Sequence, residues 1–179
     1  MTRLVRRAGA GRFADGTDVL WSVAEGTNGR RWREVRSRDG AVVSSLLLET
    51  FPDRRFAHLE LSTAAGLLTL HPEGDGTLHG NAVTEAGMRH VDGLPWPDGS
   101  LLVVHGSPIA LAAAAWLVGG VGGGGGESPG ERPVVMIGPD LDVRPASVAV
   151  GALLRHAVDP DGLPVLDDGR SWPLEIEAN

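Results

Sequence analysis

The sequence predicts an all-β protein: a strongly curved antiparallel sheet of about ten strands, of half-barrel form, with one apolar helix at about 108–118. Three observations carry this. Apolar and polar residues alternate in short runs, which is the side-chain period of a half-buried strand. Twenty-six glycines and twelve prolines among 179 residues punctuate those runs as turns do. One segment alone breaks the two-residue period, with a Ser-Pro start and a run of alanines.

Residues 1–16 carry Arg3, Arg6, Arg7 and Arg12 among small residues and read as a loose N-terminal arm. Strands follow at Val19–Glu25, Arg31–Arg38 and Val42–Thr50, separated by Gly26-Thr27-Asn28-Gly29 and by Asp39-Gly40, a strong hairpin dipeptide. In Phe56–Ser62, Ala57, Leu59 and Leu61 face one way, and Phe56, His58, Glu60 and Ser62 the other. Leu67–His71 and Thr77–Val83 flank Gly74-Asp75-Gly76. As a bulged hairpin loop this triplet sets His71 opposite His79 and Thr69 opposite Asn81, with Leu68, Leu70 and Leu78 on the reverse face. Met88–Asp92 continues the pattern with His90 and Asp92 on one side.

Ser100–His105 is an apolar strand. It leads into Ser107 as an N-cap and Pro108 as first helical residue, and Gly119 supplies the stop. A helix that is apolar almost all round must be buried, or must lie between a sheet and a partner. Gly119–Pro133 is low in complexity and reads as a flexible loop within a single domain spanning 1–179; no Gly-Lys-Ser/Thr follows to make it a phosphate loop. Strands are expected again at Val134–Ile137, Leu141–Arg144 and Val148–Val158, then in a last hairpin of Leu163–Leu166 with Trp172–Glu177. Arg33, Asp39, Gly40 and Val43 recur at the same spacing as Arg155, Asp161, Gly162 and Val165, an echo that fits an internal duplication.

Composition narrows the function. The net charge of −7 and a pI near 5.3 argue against nucleic acid, whose binding is driven by clustered cations. All sixteen cations are Arg, and Lys and Gln are absent, as GC-rich coding produces. Without Cys there is no disulfide framework, thiolate nucleophile or Cys zinc site. The N-terminus lacks the apolar stretch of a secretory signal, and no run approaches the ~20 apolar residues of a membrane span. The expected setting is the cytoplasm.

His58, Glu60, His71, His79, His90 and Asp92 fall on the less aliphatic faces of consecutive strands, where a curved sheet would gather them. Imidazole with carboxylate can hold zinc or iron, yet no H-E-x-x-H or comparable spacing is present, and cross-strand pairing accounts for the same residues. No cofactor and no metal ligand set is therefore expected. Ser107 lacks the flanking glycines of a nucleophile elbow and is explained as a helix cap. Trp21, Trp32, Trp116 and Trp172 read as core residues with the indole N–H satisfied at the edge, whereas Trp96, in the rigid loop Leu94-Pro95-Trp96-Pro97-Asp98-Gly99, is placed to line a cleft. Arg30, Arg31, Arg33, Arg36 and Arg38 read as a solvated edge strand, or as a face for an anionic head group.

Over Leu67–Val118 the order of signals resembles the family of putative glycolipid-binding proteins of bacterial cytoplasm. The resemblance rests on Leu68-Thr69-Leu70, Gly74-Asp75-Gly76, Leu78–Val83, Asp92-Gly93-Leu94 and Ser107-Pro108, with Val158–Leu163 near the end. It covers about half the chain. The family's polar residues after the proline are Ala here, and its Tyr-rich strand has no counterpart. The resemblance implies a duplicated, strongly bent antiparallel sheet around short helical segments, and it carries over no catalytic residue.

The expected function is non-enzymatic binding of an amphipathic small molecule, glycolipid-like or another lipid. The helix and Trp96 would form apolar walls, His71, His79 and His90 the polar rim, and His58 and Glu60 adjoin it on the same face. The alternatives are an enzyme, metal-dependent or acid/base, on the His/Glu/Asp face, and an interaction module docking through the apolar helix.

Overall fold

The computed structural model describes residues 6–119 and 130–149, together with the paired residues 157–158, 164–165 and 174–175. Eight strands follow one another, each antiparallel to the next: β1 (Arg6–Arg12), β2 (Asp18–Gly26), β3 (Gly29–Arg38), β4 (Ala41–Thr50), β5 (Phe56–Thr63), β6 (Gly66–Pro72), β7 (Thr77–Thr84) and β8 (Gly87–Pro95). The chain then makes β9 (Leu101–Val104), α1 (Pro108–Gly119), β10 (Glu131–Ile137) and β11 (Val143–Ala149), which build a second, three-stranded sheet in the order β11-β10-β9. Two short strands, β12 (Ala157–Val158) and β13 (Pro164–Val165), pair with each other, and β14 (Leu174–Glu175) adds to the free side of β1. Among the described residues the protein is mostly β, with one helix. Among the described residues the large sheet is an open meander, since β8 pairs only with β7.

Alternation decides which face of that sheet is core. Val19, Trp21, Val23, Trp32, Leu46, Leu48, Leu59, Leu61, Leu68, Leu70, Leu78 and Ala82 are all buried on the inner face. Each large aliphatic side chain so removed from water contributes roughly 1.5–3 kcal/mol. His71 stands opposite His79 and Thr69 opposite Asn81, as the Gly-Asp-Gly loop requires. Phe56 departs from simple alternation. The β4–β5 register slips between Glu49 and Thr50, so Ala57 is the extra residue and Phe56 turns inward, opposite the buried Thr50.

The second sheet is two-sided. Leu102, Val104, Val135 and Ile137 join the leucines of the large sheet in one core, while Leu101 and Val134 turn the other way, against Ala114, Leu111 and Leu117 of α1. This arrangement corrects the expectation of purely antiparallel pairing: β9 and β10 are parallel, Leu102 opposite Val135, and α1 is their crossover. A strand, a helix and a second strand in sequence make that unit because parallel strands need a long return connection. The helix is buried from Ile109 through Ala115 except at the half-buried Leu111, with alanines letting both neighbours approach closely.

Several boundaries also differ from the sequence reading. Residues 6–12 are no loose arm but pair along their whole length with β2; Gly9 stands opposite the buried Trp21, an aromatic partner that compensates a strand glycine. The Gly-rich stretch yields to strand at Glu131, and residues 120–129 lie outside the described part. The strand expected at Leu141–Arg144 begins at Val143, because Leu141 takes a left-handed turn (φ 61°) and is itself buried. The expected closing hairpin is replaced: β13 pairs with β12, and β14 with β1. Of the expected strand Val148–Val158, residues 150–156 lie outside the described residues, as do Arg155, Asp161 and Gly162 of the internal echo and Trp172. Among the described residues no helix is long and apolar enough to cross a membrane.

Candidate functional site

His58, His71, His79 and His90 lie together on the outer face, away from the core. His71 opposes His79, Asn81 opposes His90, Glu49 opposes His58, and Thr69 opposes Glu60. His71 Nε2 meets Glu73 at 3.0 Å and His79 Nδ1 meets Asp92 at 2.9 Å, with Thr77 Oγ1 2.7 Å from the other ring nitrogen of His79. These are cross-strand and neighbour pairs. No group of three or more His, Asp or Glu able to hold a metal occurs among the described residues. His58, Glu60, His71, His79 and His90 share a face but line none of the cavities described below; among the residues expected to bind a ligand, only Trp96 does.

Trp96 sits in a cavity of about 810 Å³ at one end of the two sheets. Three connections form it: the β4–β5 loop Phe51–Arg55, the β6–β7 turn Pro72–Gly76, and the β8–β9 loop Trp96–Ser100. Leu101, the end of α1 at Leu117 and Val118, and Arg132 on β10 complete the lining. The apolar wall is Phe56 with Trp96, ring centroids 5.3 Å apart at 56°, followed by Leu101, Leu117 and Val118. A backbone hydrogen bond from Trp96 N–H to Gly76 O (2.8 Å) ties the third connection to the second. Ser100 donates to Pro97 O from its backbone N–H (3.1 Å) and from its hydroxyl (2.6 Å), which closes the turn that carries Gly99.

Three arginines, Arg54, Arg55 and Arg132, also line the cavity. Arg54 stands at φ 67°, a left-handed conformation that a side chain other than Gly seldom adopts. Its guanidinium lies over the Trp116 ring, 4.4 Å from the centroid, while Arg30 covers the same ring at 4.1 Å. Trp116 in turn meets Trp32 edge-on at 5.2 Å. Arg132 packs its guanidinium against Gly99, where a Cβ would come within 2.6 Å of it. Arg55 differs from both, since it donates to Asp53 at 2.7 Å. That hydrogen bond, with one from the Arg55 backbone N–H, holds the Asp53 carboxyl below its usual range.

A second cavity, of about 670 Å³, opens where α1 begins and includes Glu34, Arg36, His105 and Ser107. Glu34 is buried, yet its oxygens are all occupied. Oε1 accepts from Arg36 (2.8 Å), and Oε2 accepts from the Ser107 hydroxyl (3.0 Å) and the Ile109 N–H (3.3 Å). Ser107 Oγ also accepts from Ala110 N–H at 3.1 Å, as an N-cap should. The hydroxyl is thus committed to the cap and the carboxylate to its donors, the arrangement of a helix anchor rather than of a nucleophile and base.

The basic strand is not an edge strand. β3 is central in the sheet, and Arg30, Glu34 and Arg36 share the inner face with Trp32, while Arg31 and Arg33 face out. The signal was present in the alternation: Trp32 belongs in the core, and its every-second neighbours must follow it. Buried Arg30 meets Glu25 at 2.9 Å. The indole N–H groups of Trp21 and Trp32, expected to be satisfied at the edge, have no hydrogen-bond partner among the described residues. Arg54 and Arg132, set in a loop and at a strand start, had no such signal. No family model matches the chain, and no curated protein or solved structure is significantly similar to it.

Proposed function

We propose that the protein binds one amphipathic small molecule without transforming it, in the cavity walled by Trp96, Phe56, Leu101, Leu117 and Val118. The carrying observation is the cavity itself. At about 810 Å³ it has the size of a small-ligand site, its lining combines aromatic and aliphatic residues with charged ones, and three hydrogen-bonded connections frame it. The polar lining differs from the one read from sequence: its charged residues are Arg54, Arg55 and Arg132 with Asp53, Glu73 and Asp98, and His58, His71, His79 and His90 lie on the outer face. The lipid-like character of the ligand, and a bacterial cytoplasmic setting, draw support from the resemblance in Leu67–Val118. An enzyme reading has less to rest on, because Glu34 and Ser107 are engaged in anchoring α1 and the His/Glu/Asp face lines none of the described cavities.

Isothermal calorimetry with octyl glucoside, a neutral single-chain amphiphile kept below micelle formation, tests the reading. One saturable site that Trp96→Ala weakens by about tenfold, roughly the 1.4 kcal/mol of a lost aromatic contact, is expected. Absence of saturable binding, or equal binding by the variant, would overturn it.

A further inference from the structure

We infer that the head group this cavity selects is anionic, a phosphate or carboxylate bridged by Arg54 and Arg132. The inference rests on the ligand-binding reading above and adds the chemistry of the head. Six charged side chains line the cavity, three of each sign. Asp53 is engaged by Arg55, and Glu73 by His71. Of the remaining three, Arg54 and Arg132 form no ion pair with any described residue, and Asp98 is the one acid left against them. Arg54 is held by the face of Trp116, a contact that satisfies no hydrogen-bonding capacity, and the Arg132 guanidinium lies beside Gly99, where a Cβ would displace it.

A guanidinium so placed keeps its fork of donors for an oxyanion, and stacking reduces the rotamer freedom that binding would otherwise have to freeze. The backbone supports the same assignment. Arg54 occupies a left-handed conformation that Gly or Asn would adopt at less cost, and strain of this kind collects where a side chain is aimed at a ligand. Arg54 and Arg132 line the same cavity as Trp96, Leu117 and Val118, so a molecule with an acidic head and an aliphatic tail finds both cationic and apolar partners there.

Calorimetry with four probes separates the possibilities: octyl phosphate, octyl glucoside, octylammonium and inorganic phosphate. Octyl phosphate is expected to bind at least about tenfold tighter than octyl glucoside, and octylammonium more weakly than either. Arg54→Gln and Arg132→Gln should each weaken octyl phosphate about fivefold to tenfold and leave octyl glucoside within about twofold, a pattern that general destabilisation does not produce. Octyl glucoside binding with no preference for octyl phosphate would overturn this inference and leave the ligand-binding reading standing. Inorganic phosphate binding as tightly as octyl phosphate would overturn the reading of head and tail together. Failure of every probe would sink both.

Discussion

The carboxylate of Glu34, buried in the middle of β3, accepts the hydroxyl proton of Ser107 at 3.0 Å, seventy-three residues further along the chain. This contact joins the centre of the large sheet to the first turn of α1. Because α1 ends at the cavity wall of Leu117 and Val118, it also fixes where that wall stands.

Removing the carboxylate leaves Arg36 beside an unfilled pocket and strips the helix N-terminus of its acceptor. Glu34→Ala should therefore destabilise the protein by about 3 kcal/mol, and Ser107→Ala, which loses the cap and one donor to the carboxylate but leaves it those of Arg36 and Ile109, by about 1–2 kcal/mol. Urea denaturation measures both. A loss below about 1 kcal/mol for Glu34→Ala would contradict the anchoring role.

The two faces of the large sheet should respond to truncation very differently. Leu70→Ala opens a cavity in the core and is expected to cost about 2–5 kcal/mol, whereas His79→Ala, one hairpin partner away on the outer face, should stay within about 0.5 kcal/mol. Comparable losses at both sites would mean that the outer face is covered by something.

Gly99→Ala places a methyl group against the Arg132 guanidinium and forces a left-handed residue (φ 81°) to carry a Cβ. The stability loss should be about 1 kcal/mol. The anionic probe should be affected more than the neutral one, because the displaced group is the cation; calorimetry on the variant reads the difference.

Acid should weaken the turns before the core. Asp15, Asp53 and Asp75 hold their carboxyls below the ordinary value of 3.8, chiefly through hydrogen bonds from Thr17, Arg55 and Thr77 respectively. Asp18 does so through Arg12. A depressed carboxyl contributes stability that is complete above its unfolded value and is lost as pH falls through the folded one. The melting temperature should accordingly fall from about pH 4 downward, and the fall should be shallower in a variant with Asn at 15, 53 and 75. An identical fall in parent and variant would contradict the assignment.

How much of this could be read beforehand depends on the range of the interaction. The β6–β7 hairpin, the Ser107 cap and the shared face of His58, His71 and His79 follow from two-residue alternation and turn chemistry, which are local, and the structure has them as the sequence implies. The parallel pairing of β9 and β10 depends on where a chain returns after a helix and a long Gly-rich stretch, and alternation carries no such record. The inward turn of Phe56 needed a bulge, a one-residue slip invisible in the pattern of either strand alone. The site shows the same division. Trp96 was legible because prolines and glycines fix its loop, while Arg54 and Arg132 come together only through tertiary structure, and the run of arginines in β3 concealed the inner-face pair Glu34 and Arg36.

We propose that the apolar end of α1 and the Trp96 loop together hold an aliphatic chain. Photolabelling with an alkyl phosphate carrying a terminal diazirine, followed by peptide mass spectrometry, tests this most directly. The account predicts adducts confined to the segments around Trp96–Leu101 and Leu117–Val118, suppressed by excess octyl phosphate. Adducts spread over the outer face near His58, His79 and His90, or labelling that excess octyl phosphate leaves unchanged, would contradict it.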